Sequence, residues 1–421
     1  MNAHILDETH PLEEVLVWGE PGIEALLGQL LPQTRSLFRS YYEVPKARGE
    51  FACMSALIEN EGIKIIRAKD ATAELLQDRF IPSLPTSIHD LKLALRQRVD
   101  SYFSIYRHAK QNDLTKDNLF EITPEDVYDE VNHDMGMILE QDISQYGEQG
   151  ALRLNYLLSL SKPWPMSNIF YGRDQSQVIG DRVVLSSLRW NIRKPEVRIF
   201  KDALHALGFG SAITDIREGT IEGGDIAMFD GCCFIGVGAR TSLSAVKEVC
   251  RQIGDSLKEK NIQLIAVVNK RQEEESNFFI SPTSEHMQVM HLDMFWIPLA
   301  PDLVMAYTYE MDQRDAVLVT QEKGRIITEK LGSFREFLRS REIEIFEVNE
   351  AEQKNFATNL LNLGDKRVIA ALSSNPRVNA ELEKRGFTVK YAELTKLVDG
   401  YGAVHCLTAP VRRKNQVTLS P

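Results

Sequence analysis

SLSAVKEVCRQIGDSLK at 242–258, followed shortly by QLIAVV at 263–268, decides the fold class. In the first stretch Val246, Val249, Cys250, Ile253 and Leu257 recur at helical spacing and share one face. The second is a short, largely β-branched run of the kind that forms a buried strand. A helix leading directly into such a strand is the working unit of an α/β protein. The same grammar opens the chain: Val15-Leu16-Val17-Trp18 enters a turn at Gly19 and Pro21-Gly22, an amphipathic helix covers 51–60, Gly62 stops it, and a strand follows at 63–66. Further strands are expected at 303–307, 316–320, 343–348, 368–372 and 388–391, with a helix over 328–340.

Between 71 and 160 the strand signals vanish and helical spacing takes over, as in Leu91, Leu95, Val99 and Phe103. Loop and helix-start signals fall at 115–118 and 123–124. The expected organisation is therefore an α/β body, 1–70 and 161–421, carrying a helical insertion at 71–160. Residues 411–421 are basic and polar and are expected to fray.

Composition narrows the function classes. The 421 residues are 43% apolar and 26% charged, the balance of a globular protein and not of a disordered or fibrous one. With 49 Lys and Arg against 60 Asp and Glu, the net charge of −11 disfavours nucleic acid and anionic membranes as partners. No apolar run approaches the roughly 18 residues of a bilayer span. The stretch 294–307 is broken by Pro298, Pro301 and Asp302, and the acidic start (Asp7, Glu8, Glu13, Glu14) lacks an export signal. The five cysteines, Cys53, Cys232, Cys233, Cys250 and Cys406, are odd in number, irregular and free of CxxC. They read as thiols of a reducing, cytoplasmic protein, and a structural zinc site has little support.

Four segments could carry chemistry. Asn168-Ile-Phe-Tyr171-Gly-Arg173-Asp174 taken alone is most often a surface ion pair. Glu222-Gly223-Gly224-Asp225, with Gly238-Ala-Arg240-Thr241 after it, brings acids beside paired glycines that permit close backbone approach. His291-Leu-Asp293, read as strand, would place imidazole and carboxylate on one face. Gly400-Tyr-Gly402-Ala-Val-His405-Cys406 leads a glycine-rich segment up to a thiol. His405 would point away from the site if that segment is extended, and no role is assigned to it. His286 reads as loop. The other four cysteines read as structural.

As a set these residues suit one class of substrate. Carboxylates raise a thiol's pKa and repel an anionic transition state, so they oppose ordinary acyl transfer. A planar guanidinium matches side-on carboxylates through paired hydrogen bonds, and its charge favours the thiolate.

The order Asn-x-x-aromatic-x-Arg-Asp, Glu-Gly-Gly-Asp, Gly-x-Arg-Thr, His-x-Asp and a terminal Gly-rich His-Cys resembles the arginine deiminase family of guanidino-group-modifying enzymes. The resemblance implies a pseudo-fivefold α/β propeller, the pentein fold, with ββαβ-type units around a central site. It implies Cys406 as nucleophile and His291 as general acid/base. Glu222 would orient the histidine, and Asp174 and Asp293 would grip the guanidinium. Arg193, Arg240 and Asn168 would hold the substrate α-carboxylate, Tyr171 would wall the guanidinium, and Asp225 would contact the amino-acid end or hold its loop. It further implies hydrolysis of arginine or a close guanidino analogue to citrulline and ammonia, without metal or organic cofactor, in a dimer or higher oligomer. Many family members carry an arginine five residues before the nucleophile; here that position is Tyr401. Hydrolysis of a guanidine is thus better supported than free arginine as the substrate. An amidinotransferase with an amine acceptor, an arginine dihydrolase giving ornithine, and a binding protein that kept the fold are the competing readings.

Overall fold

The computed structural model describes residues 2–31, 36–39, 41–111, 124–271, 289–371 and 375–415; His286 and most of the loop expected near 115–123 lie outside them. The chain opens with β1 (Leu12–Val17), a helix at Val44–Asn60 and β2 (Lys64–Arg67). After three helices, Ala68–Leu76, Ile88–Gln111 and Pro124–Asn155, come β3 (Ser176–Ile179), β4 (Arg182–Leu185), a helix at Lys194–Ala206 and β5 (Ile213–Asp215). β6 (Ile226–Phe229), β7 (Cys232–Val237), the helix Leu243–Glu259 and β8 (Gln263–Asn269) repeat the pattern. β9 (Trp296–Ala300) and β10 (Leu303–Ala306) are followed by a hairpin of β11 (Arg314–Glu322) and β12 (Arg325–Ser333), a helix at Phe334–Ser340 and β13 (Glu344–Glu347). β14 (Leu361–Gly364), β15 (Arg367–Ala371), the helix Pro376–Lys384 and β16 (Thr388–Ala392) precede β17 (Ala409–Arg413).

Pairing sorts these strands into five sheets of one design. In each, two strands pair antiparallel and the second of them pairs parallel with a third: β3-β4-β5, β6-β7-β8, β9-β10-β13, β14-β15-β16 and β17-β1-β2. A parallel neighbour needs a crossover, and a helix in each connection supplies it. The first and middle strands of the units are the buried ones; every residue of β3, β6, β7, β9, β10 and β14 is buried. This is the pseudo-fivefold α/β propeller, and its fifth unit is stitched from both ends of the chain.

Local sequence explains most boundaries. The helix Leu243–Glu259 starts where the Ser242 side chain accepts from the Ala245 N–H, and Val246, Val249, Cys250, Ile253 and Leu257 are all buried. The 328–340 expectation needs correction, because its first half is strand: β12 pairs antiparallel with β11 through a two-residue turn at Lys323-Gly324. Both turn residues have positive φ (47° and 77°), which fits the hairpin twist, and the β-branched Ile326, Ile327 and Thr328 favour strand over helix. The helix begins only at Phe334, behind a Ser333–Glu336 capping box.

Residues 71–160 contain no strand among the described residues. Leu91, Leu95 and Val99 are fully buried along one helix face. The helical stretch Pro124–Asn155, broken by a kink at Gly147, is tied down at Asp142, which receives Arg48 at 3.1 Å with Lys69 at 3.9 Å, all three buried. No helix among the described residues is long and apolar enough to cross a membrane.

Candidate active site

Each sheet contributes to one site from the segment just before its first strand. Asp174 precedes β3, Glu222 and Asp225 precede β6, His291 and Asp293 precede β9, Asn359 precedes β14, and Cys406 precedes β17. Equivalent positions of the five units thus converge on one place. The expected strand at His291–Asp293 is instead a turn: His291 is extended and Leu292–Met294 is a single 3-10 turn, so the two side chains leave in different directions.

Cys406 sits in the short helix Val404–Leu407 and is 3% exposed. Asn359 builds its seat. Its Nδ2 donates to Sγ at 3.1 Å, and its Oδ1 accepts from the N–H groups of Ala403 (2.9 Å) and Cys406 (3.2 Å). Sγ lies 3.6 Å from Asp293 Oδ2. Burial, then Asp293 and Asp174, push the thiol well above its ordinary pKa, with the Asn359 donor and Arg173 opposing them.

His291 is buried with Nε2 2.8 Å from Glu222 Oε2 and Nδ1 3.7 Å from Asp174 Oδ1. Burial alone would lower its pKa, but Asp174, the Glu222 hydrogen bond and Asp225 prevail and raise it to about 9. The imidazole is therefore protonated at neutral pH. Glu222 is held in turn by Arg240 Nη1 (3.1 Å) and the Arg189 N–H (2.9 Å). Burial would raise its carboxyl, yet Arg240 and His291 keep it well below the usual range. Asp225 receives the Thr241 hydroxyl at 2.6 Å and the Leu292 N–H at 3.0 Å, and burial pushes its carboxyl up to about 7. It joins the β6 and β9 segments and so holds the loop that carries the histidine.

The paired glycines at 223 and 224 permit this packing. A Cβ on Gly223 would fall 1.9 Å from the Arg173 carbonyl oxygen, and one on Gly224 would fall 2.5 Å from His291 Nδ1. A Gly224→Ala substitution is accordingly expected to displace the imidazole and lower kcat on the order of 100-fold. Steady-state kinetics beside a thermal melt checks this; a variant with normal kcat removes the positioning role.

The remaining expected residues line the same place. Arg193 donates to Asp174 Oδ2 at 2.7 Å and to Glu196, and its Nη2 reaches the Asn168 carbonyl at 3.3 Å. Asn168 Nδ2 donates to the Ser36 carbonyl at 2.7 Å. Tyr171 donates to the Leu397 carbonyl at 2.5 Å, and its ring fills the room left by Gly400 and Gly402. Together with Leu37, Met290, Arg240, Tyr401 and Cys406 these residues enclose a cavity of about 10 Å³. That is room for a water-sized guest and not for an amino acid. Tyr401 holds a left-handed backbone there (φ 65°), a costly state for an aromatic residue.

His405 needs a correction. It belongs to a helical turn and not to an extended segment, and its Nδ1 meets Asp293 Oδ2 at 2.7 Å while Nε2 lies 3.7 Å from Glu8. Burial would raise the Asp293 carboxyl, but His405 holds it below the usual range. Arg173 completes this layer, its Nε donating to the carbonyls of His405 (2.8 Å) and Thr408 (2.9 Å).

Three polar atoms stand out. Asp174 Oδ1, Asp293 Oδ1 and His291 Nδ1 are buried without a hydrogen-bond partner among the described residues. Two orphaned carboxylate oxygens beside a thiol ask for a donor-rich cation. Asp174, Glu222 and His291 also lie close enough to ligate a metal ion. Asp174 already carries Arg193 and Glu222 carries Arg240, so a divalent ion there would face two guanidinium charges.

Comparisons with known proteins agree in kind. A family model described as arginine deiminase matches residues 35–413. The arginine deiminase of Mycobacterium marinum is 23% identical over 429 residues, spanning 95% of this chain and 96% of that protein. The arginine deiminase of Metamycoplasma hominis is 23% identical over 98% of this chain and 97% of its own length. An uncharacterized Bacillus subtilis protein, YkgA, is 26% identical over 58% of this chain and 69% of its own. Among solved structures, ArgZ, an arginine dihydrolase from the ornithine-ammonia cycle in cyanobacteria, matches at 21% identity and a TM-score of 0.44 over 60% of this chain; the match covers 33% of the ArgZ chain.

Proposed function

The chain belongs to the arginine deiminase family, and on that premise we propose that it hydrolyses a guanidinium group through a covalent adduct on Cys406. Arginine, giving citrulline and ammonia, is the first substrate to test. The observation that carries the reading is the pair of orphaned carboxylate oxygens, Asp174 Oδ1 and Asp293 Oδ1, beside the Cys406 sulfur. A guanidinium offers planar N–H groups to both and sits over the sulfur as it does so.

The chemistry follows from the charges. The raised pKa values of Cys406 and His291 favour a thiol and an imidazolium before a cation binds. A bound cation offsets Asp174 and Asp293, lowers the thiol pKa and makes the thiolate available. Sulfur attacks the guanidinium carbon, His291 gives its proton to the departing nitrogen, and ammonia leaves an S-alkylthiouronium on Cys406. His291, now neutral, takes a proton from water; hydroxide adds to the same carbon, the C–S bond breaks as the hydroxyl proton passes through solvent to ammonia, and the ureido product and thiolate are released. In sum, one guanidinium and one water give one urea group and ammonium. Glu222 keeps the imidazole charged and oriented, and Asn359 aims the sulfur. For substrate to enter, Leu37, Met290 and Tyr401 must part. On this reading residues 71–160 are an insertion bracing the body of 1–70 and 161–421.

The test is product analysis with arginine, agmatine, methylated arginines and guanidinoacetate, each with and without glycine. Ammonia and a ureido product in equal amounts are expected. Ornithine with guanidinoacetate would replace water by an amine acceptor, and ornithine with two ammonia would make the protein a dihydrolase. No turnover, together with no alkylation of Cys406 by a haloacetamidine, would leave a binding protein.

A further inference from the structure

The β11–β12 hairpin breaks the fivefold pattern. It is inserted in the crossover between β10 and β13, yet it pairs with β8 and extends that sheet to five strands in the order β12-β11-β8-β7-β6. The other sheets end outward in β2, β5, β13 and β16, which are 4, 3, 4 and 5 residues long. Short edges of that kind resist pairing with another chain. β12 is nine residues long, and no strand among the described residues pairs with its outer side. Most of its side chains are exposed, including Ile327 at 42% and Leu331 at 37%.

We propose that the outer edge of β12 pairs antiparallel with the same edge of a second copy of this chain, about a two-fold axis at Ile327, joining two sheets into one.

The register argument comes from the turn. The two-residue turn at Lys323-Gly324 makes Glu322 and Arg325 the closing, hydrogen-bonded pair. Alternation then turns the backbone groups of Ile326 and Thr328 outward, away from β11. Arg325, Ile327 and Glu329 share one face, and neither charged residue has an ion-pair partner in its own chain among the described residues. A two-fold axis at Ile327 sets Ile326 opposite the partner's Thr328, so both outward-facing backbones are satisfied. It also sets Arg325 opposite the partner's Glu329, twice by symmetry, with the two isoleucines meeting on the axis. An axis at Glu329 would oppose two like charges, and one at Thr328 would set Ile327 against the partner's Glu329. Of these three registers, only the one at Ile327 sets opposite charges against each other.

Analytical ultracentrifugation of the full chain at micromolar concentration tests the proposal. A dimer is expected for the unaltered protein. Arg325→Glu and Glu329→Arg each place like charges opposite one another twice and should weaken it at least about tenfold. The double reversal, Arg325→Glu with Glu329→Arg, should restore it. Thr328→Pro removes one outward N–H without touching the ladder to β11 and should abolish the dimer with circular dichroism unchanged. A monomer throughout, or a dimer indifferent to these changes, overturns the proposal. A failure here leaves the catalytic reading intact, since none of these residues belongs to the site.

Discussion

Cys406→Ser is expected to lose turnover on every accepted guanidine by about a thousandfold or more, while binding of the best substrate persists. A serine hydroxyl ionises several pKa units above a thiol, so the positive charge that makes a thiolate available is too weak to make an alkoxide. On the proposed reading binding rests on other groups, since the unpartnered oxygens of Asp174 and Asp293 would grip the cation. Rapid acid quench of the unaltered enzyme followed by mass spectrometry should reveal an adduct on the peptide carrying Cys406, and Cys406→Ser should show none. Turnover within about tenfold of the unaltered enzyme would mean that water attacks directly and the thiol is a bystander.

Glu222→Gln should narrow the pH range from its alkaline side. In the proposed mechanism the first half-reaction uses the imidazolium of His291, whose pKa is raised to about 9. Activity that needs the protonated form falls as pH climbs through that value. Replacing the carboxylate at 2.8 Å by a neutral amide removes one of the charges that raise it, so the alkaline limb of kcat/KM should move down by about a unit or more. At pH 8 a one-unit shift should cost about twofold, and the loss should approach about tenfold by pH 10. The linkage to stability has the same sign. A histidine with a raised pKa stabilises the fold fully below its ordinary value of 6.5, and that increment is lost as pH rises through about 9. A uniform drop at all pH values, with the limb unmoved, would reduce Glu222 to a structural part.

The residues that sequence alone exposes are those with partners at short range. Asp174, Glu222, Asp225, His291, Asp293 and Cys406 each lie in a motif with glycine or a second charged residue nearby, and the structure gathers them. Asn359 lies in Thr358-Asn359-Leu360, where nothing local marks it, although it holds the sulfur. Glu8 and His405 are far apart in the chain and meet only because β1 and β17 share a sheet. The fivefold repeat is equally hidden, because it is a repeat of strand pairing and not of residues, and one of its units is divided between the two ends. The error at 328–340 has the same origin. Leu331, Phe334 and Leu338 fit a helical stripe locally, and the partner strand β11 decides otherwise for the residues before Phe334.

That divided unit has a consequence for how the protein is made. Cys406 follows every other group of its site in the chain, and the strand after it, β17, docks against β1, which precedes the other four sheets. Four sheets and all the acids can therefore assemble before the proposed nucleophile is in place. On the proposed mechanism a nascent chain stays chemically silent until β17 meets β1.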